Sequence, residues 1–414
     1  MLETMYCGVD VSKEKHAIQL LAPSGAKAGR LQVDNTPAGA NLLTEEIAAA
    51  ARRLGCTEIC IGLEATSVYW WHLFRYFFEA PQLAGYSTKV TLINPRRVKD
   101  FRRSLGELPK NDRMDAFVIA DFLRANANRL RFSLPPDPRF DSIRSLTRAR
   151  YQLAKILGGE KNRALAVLFR TFSAYGRGKP FSDVFGLTSM HVVSELTVSE
   201  IATLSLPQLA ERVFGTAHAF FSSGEQERIT RELAHLAAAS YRLDAFSKNT
   251  MHKALKTHLD LITFLDEKIK ILDGEIAECF RPIPSTLQTI PGIGPVYEAG
   301  IRSESGPIER YRSDGQLAAM AGLVWKEHQS GNFKAEEEHL TSSGNRCLRY
   351  YLVEAANVVR MHDERFAAYY KQKYEEAQHH QHKRALLLTA RKLTRTVFVL
   401  LKRGLDYDPQ RRAS

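Results

Sequence analysis

The chain has 414 residues, 44% of them hydrophobic, and carries 58 Lys and Arg against 46 Asp and Glu for a net charge of +12. A chain of that length can bury a large core, over two or three domains. No apolar run approaches the ~18 to 20 residues needed to span a bilayer, and no leading stretch has signal-peptide order, so a transmembrane or secreted protein is not expected.

The five cysteines, Cys7, Cys56, Cys60, Cys279 and Cys347, show no paired zinc spacing and read as reduced and structural. The excess positive charge favours a polyanionic partner, nucleic acid or an anionic membrane surface.

Residues 6–11, 16–21 and 29–33 read as three strands joined by Gly- and Ser-bearing turns. Asp10 lies inside the first run, where an unpartnered charge is costly, so a metal or a basic partner is implied. A strand-end Asp tied to local backbone is the ordinary alternative. A helix pattern over residues 38–54 leads into an apolar strand at 58–64 that ends on Glu64. Residues 65–71 open another helix, capped by Thr66 or Ser67. Residues 89–95 are a further strand.

A basic helix follows, and then Lys110-Asn111-Asp112-Arg113-Met114-Asp115-Ala116. Residues three apart share a helix face, so Asp112 and Asp115 project together if Val118, Ile119 and Phe122 pack inward. Two such carboxylates repel unless a cation sits between them. Acidic residues also suit the positive end of a helix dipole without any metal. Arg96, Arg97, Lys99, Arg102, Arg103, Lys110 and Arg113 flank the pair, which suits phosphates held beside an ion.

Three antiparallel strands followed by alternating helices and strands, with acids at strand and helix ends, describe an RNase H-like α/β fold. In that fold Asp10, Glu64, Asp112 and Asp115 can converge at one sheet edge. Four carboxylates of this kind hold two divalent ions about 3.5 to 4 Å apart and support phosphoryl transfer.

A proline-rich break at 134–138 opens a helical arm with Arg144, Arg148, Arg150, Lys155, Lys161 and Arg163 along it. Residues 176–250 form short helices without an assignable motif and read as a possible insertion. Over residues 251–280 a near-heptad apolar stripe suits a coiled-coil hairpin or dimer contact; packing against the earlier arm serves equally. Ile290-Pro291-Gly292-Ile293-Gly294-Pro295 reads as a helix-hairpin-helix turn whose glycines, Gly292 and Gly294, let amides approach a phosphate. A helix at 316–323, a loop at 328–332 and the segment 341–349 follow, where Arg346 and Arg349 are candidate phosphate contacts. His379-His380-Gln381-His382 reads as a solvated stretch.

The segments GVDVSK, IGLEATSVYW, KNDRMDA, PGIGP, AGLVWKEHQSG and SSGNRCLRYYLVEAA resemble, in this order, the DEDD transposases of insertion sequences related to the Piv invertase. The resemblance covers residues 5–125 and 283–360, with Val324-Trp325 standing where members commonly carry a proline. It implies a RuvC-like catalytic domain over 1–130 with its metal tetrad on Asp10, Glu64, Asp112 and Asp115. A helical coiled-coil middle over 131–282 would lead to a mostly α C-terminal transposase domain over 283–414, whose nucleophilic serine falls on Ser330.

It also implies Mg²⁺ or Mn²⁺ as cofactor, donor and target DNA as substrates, and a structured bridge RNA as guide. A homo-oligomer, dimer to tetramer, and a cytoplasmic, nucleoid-associated location with no membrane partner complete the expectation. The reaction expected is Mg²⁺-dependent strand exchange through a phosphoserine. Within enzymes the alternative is a RuvC-like nuclease or conventional transposase using water. Outside them stands a non-catalytic nucleic-acid-binding protein. An actin-like sugar kinase ranks last, for want of a second Gly-rich phosphate loop.

Overall fold

A computed structural model describes residues 3–106, 111–215, 221–326, 329–330, 333–334, 339–340 and 343–410, with the side chains at 326, 329–330, 333–334 and 339 outside that description. The chain divides into two compact units, Met1–Asp137 and Pro138–Ser414.

The first unit is a mixed α/β domain. Its strands are β1 (Thr4–Asp10), β2 (Lys15–Leu21), β3 (Lys27–Asp34), β4 (Glu58–Glu64) and β5 (Ser87–Ile93), and its helices are α1 (Pro37–Leu54), α2 (Trp71–Glu79), α3 (Pro95–Ser104) and α4 (Asp112–Asn126). Among the described residues the strands stand in the order β3-β2-β1-β4-β5. β1, β2 and β3 pair antiparallel, whereas β4 runs parallel to β1 and β5 parallel to β4.

Helix α1 starts where Thr36 accepts from the Gly39 amide and ends at Gly55, whose φ of 69° supplies a left-handed cap. Its apolar face, with Leu43, Ile47 and Ala51, covers one side of the sheet together with Leu73, Phe74 and Phe77 of α2. The other side carries α4, where Val118, Ile119, Phe122 and Leu123 close over Ile93 and Tyr6. That helix lies unusually close: a β-carbon placed on Gly8 would stand 2.3 Å from Ala116 O and 2.3 Å from Ala120 N. Glycine in mid-strand is thus the condition for α4 to rest on β1.

The helix expected from residue 65 begins at Trp71 instead. Its N-cap, Trp70, makes no side-chain capping bond. Residues 65–70 form a turn held by Thr66 N donating to Glu64 O and by Trp70 Nε1 donating to Ser67 O, with Ser67 at φ 52°.

The second unit is mostly helical. Long helices α5 (Pro138–Thr171) and α11 (Ala245–Phe280) flank the short helices α6 (Tyr175–Gly178), α7 (Leu187–Glu195), α8 (Val198–Thr203), α9 (Leu206–Phe214) and α10 (Ser223–Ala238). α5 and α11 run antiparallel: Arg150 pairs with Asp273, and Glu160 with His258. Of the stripe, Leu255, Leu259, Ile262, Leu265, Ile269 and Ile276 are buried and Leu272 is half-buried, so of its two readings packing within the chain, against the arm, is the one seen. From the stretch 176–250, Val192, Leu209, Val213, Ile229 and Leu233 join Leu255, Leu259 and Ile262 in one core with Phe172 and Tyr175.

Beyond α11 come α12 (Pro295–Ser305), α13 (Asp314–Ala321), the two-residue strands β6 (Trp325–Lys326), β7 (Gln329–Ser330), β8 (Phe333–Lys334) and β9 (His339–Leu340), then α14 (Arg346–His362), α15 (Glu364–Glu375) and α16 (Gln381–Arg403). The Pro291-Gly292 turn joins a single 3-10 turn, Leu287–Thr289, to α12. Hence one α-helix, not two, flanks it directly.

Candidate active site

Strand alternation decides which side chains meet. Gly8 faces α4, so Asp10, two residues on, faces the same way. Gly62 pairs with Gly8, which puts Glu64 on that face at the end of the neighbouring strand. Asn111 caps α4 by accepting from Met114 N, and Asp112 opens its first turn. The close seat of α4 on Gly8 therefore brings Asp112 towards Asp10 and Glu64.

The electrostatics register the meeting. Burial, and then the like charges of Glu64 and Asp112, push the Asp10 carboxyl up to about 6. Burial also raises Glu64, against a lowering bond from Thr66. The fourth acid, Asp115, is in an ion pair with Arg102 of α3. Three acids thus come together on one sheet edge, and the fourth is held by a guanidinium beside them.

Among the described residues no three carboxylate, imidazole or thiolate side chains stand close enough together to hold a metal ion. The donor set nonetheless fits a divalent cation. Its ligating atoms are hard carboxylate oxygens, and their mutual repulsion is what an ion would relieve.

The basic residues divide. Arg96 and Arg103 are exposed, each within 4.0 Å of Asp100. Arg97 lies over the Phe122 ring, 5.0 Å from its centroid, and Arg102 is committed to Asp115. Lys110 lies outside the described residues. Arg113 lines an open groove of about 650 Å³ with Asn111, Asp112, Ala17, Arg30 and Gln32.

Sequence reasoning did not single out Arg30 or Gln32. Their place follows from register: Asp10 pairs with Ala17, and Ala17 with Gln32, so a row leads from the acids across a small residue to the edge strand. Gly8 and Gly62 were also passed over. A glycine inside each of two apolar strands was the available signal.

In the second unit, Ser330 lies in β7, whose partner across the ladder is Phe333; its side chain lies outside the described residues. Gly294, the N-cap of α12, has open space around it, whereas Gly292, at φ 95°, is packed against Val358 and Val359. Arg346 is the exposed first residue of α14. Arg349 donates to Gly322 O at 3.4 Å. Asn345 caps α14 by accepting from the amides of Cys347 and Leu348, and its amide donates to Glu304 Oε2 at 2.7 Å. Arg148 holds the same buried carboxylate with two bonds, at 2.6 and 2.9 Å.

Residues 7–173 match the transposase model for DEDD proteins of IS110 elements. Residues 285–371 match the transposase family of IS116, IS110 and IS902. The chain is similar to an uncharacterized 44.8 kDa protein of insertion element IS116 from Streptomyces clavuligerus, 26% identical over 332 residues, 79% of this chain and 80% of the relative. It is 23% identical over 318 residues to the transposase for insertion sequence element IS1111A of Coxiella burnetii, covering 76% of this chain and 68% of that one. An uncharacterized 43.6 kDa protein of insertion element IS110 from Streptomyces coelicolor is 24% identical over 423 residues, 98% of this chain and 95% of the relative.

Proposed function

The chain belongs to the IS110/IS116 family of insertion-sequence transposases, enzymes that cut and join DNA, and on that premise we propose that it exchanges strands through a serine-linked DNA intermediate. The observation that carries the proposal is the coupling of Asp10 to Glu64 and Asp112 at one sheet edge. The antiparallel β1-β2-β3 followed by parallel β4 and β5 supports an RNase H or RuvC-like fold for this unit.

Asp10, Glu64, Asp112 and Asp115 would hold Mg²⁺ or Mn²⁺, with Asp115 leaving Arg102 to do so. The bound ion supplies charge stabilisation to the scissile phosphate and activation of the attacking oxygen. Ser330 Oγ then forms a bond to phosphorus as the bond to the leaving sugar oxygen breaks. The proton lost by the serine balances the one gained by the freed hydroxyl. Rejoining runs the same exchange backwards with a hydroxyl from another strand, so no bond energy is lost to water.

The exposed Arg96, Arg103, Arg113 and Arg346, with Lys110, would position phosphates without reading sequence. Arg30 and Gln32 extend the same role along the groove, and the Gly294 end of α12 is a further phosphate contact. Sequence would be read by a structured bridge RNA pairing with donor and target DNA, within a dimer or tetramer.

The test is a covalent adduct. Radiolabelled cognate DNA incubated with the protein, its RNA and Mg²⁺ should comigrate with wild-type protein on denaturing gels and not with Ser330→Ala. Mg²⁺-dependent cutting without an adduct would make the enzyme a water-using nuclease or conventional transposase.

A further inference from the structure

On the sheet face opposite the acids, an open pocket of about 390 Å³ lies between the start of α1 and α2. His16 neighbours Ala17, which faces α4, so the His16 ring points to this other side. It is 1% exposed, yet among the described residues neither ring nitrogen has a hydrogen-bond partner. Leaving both unmade is unfavourable for groups this deeply buried. The ring lines the pocket, along with His72, Arg75, Tyr76 and Glu79.

We infer that this pocket takes one nucleotide, its base against His16 and its phosphate towards Arg75 and His72; the inference rests on the chain being a nucleic-acid enzyme. Pro37, Ala40 and Leu73 give the pocket an apolar wall, and Tyr76, whose hydroxyl donates to Asn41 Oδ1 at 3.3 Å, adds a ring. Flat, partly apolar walls suit a base, whose ring faces need no hydrogen bonds.

Burial holds the His16 ring towards its neutral form, against an opposing contact with the Asn35 side chain, so the ring carries one donor and one acceptor nitrogen. A bare phosphate fits less well. The space is several times larger than the ion, and the Glu79 carboxylate opposes an anion not carried on a larger body. The ligand's source is either a free mononucleotide or a residue turned out of a bound strand.

The experiment titrates the full-length protein, in EDTA, with AMP, GMP, CMP and UMP, with inorganic phosphate, and with the trinucleotide UpUpU, following heat by calorimetry. EDTA removes any ion that could hold a phosphate at the acids. At least one mononucleotide or the trinucleotide should bind at a single site, at least tenfold weaker in both His16→Phe and Arg75→Ala and unchanged in Asp10→Asn. Arg75 sits at the pocket's more exposed rim, so its variant still tests the site if His16→Phe misfolds. Tighter binding of the trinucleotide would assign the pocket to a strand, and tighter mononucleotide binding to a free nucleotide.

The inference is overturned if nothing binds, if binding survives both pocket variants, or if inorganic phosphate binds as tightly as the nucleotides. The serine adduct is measured separately. An adduct without nucleotide binding sinks the pocket alone, and nucleotide binding without an adduct sinks the serine chemistry alone.

Discussion

Arg102 of α3 holds the carboxylate of Asp115 in the first turn of α4, so on the proposed metal reading Asp115 must change partner before it can take a cation. Removing the competitor should help the ion. Arg102→Ala is expected to raise the Mn²⁺ affinity of the free protein about fivefold, near 1 kcal/mol, as measured by titration of the bound-Mn²⁺ water relaxation. Weaker Mn²⁺ binding in this variant would mean that Arg102 shapes the site and that Asp115 is not a ligand.

The Asp10 carboxyl, raised to about 6 from 3.8, ties stability to pH. Between these values the folded chain keeps a proton that the unfolded chain has lost. This group's contribution is therefore complete below about pH 4 and is lost as pH rises through 6. In EDTA, Asp10→Asn should be more stable than wild type at pH 7.5 by about 1 kcal/mol, a value reduced for partial solvation, and no more stable at pH 4. Urea unfolding at the two pH values checks this.

Gly8→Ala should cost about 3 kcal/mol or more, because the new carbon meets the backbone of Ala116 and Ala120, and backbone cannot turn aside. The displaced α4 would carry Asp112 with it. Cleavage should then fall even at temperatures where circular dichroism shows a folded chain. Activity retained with an unshifted thermal transition would contradict this account of the α4 seat.

How much of this was legible in the chain differs by element. Strand β4 was readable to its ends, because Ile59, Cys60, Ile61 and Leu63 are apolar residues buried between neighbouring strands. Helix α1 was readable from its helical pattern over 38–54, one residue short of its observed start at Pro37. The start of α2 was not: Thr66 and Ser67 look like caps, but their backbone is spent on a turn back to Glu64.

The acids could be named from spacing, whereas the Arg102 to Asp115 pair could not. It depends on how α3 meets α4, and the five arginines nearby were equal candidates. The heptad stripe left a partner helix and a second copy equally open, since burial periodicity does not say which chain does the burying.

Arg148→Ala should lower stability by roughly 3 kcal/mol. The change strands the Glu304 carboxylate, whose side chain is 0% exposed, with only the Asn345 amide as its remaining named donor. Since Asn345 caps α14, the loss should reach the segment that follows Ser330. Amide hydrogen exchange over 343–349 should quicken in this variant more than over α5. Equal protection there would confine Glu304 to a packing role.

The most direct measurement is the covalent adduct between the protein and labelled cognate DNA, formed with Mg²⁺ and the element's RNA and compared across wild type, Asp10→Asn and Ser330→Ala. The account predicts an adduct in wild type, lost in both variants, with the label released on phosphoserine by acid hydrolysis. Strand exchange by Ser330→Ala, or an adduct that forms without Asp10, would contradict it.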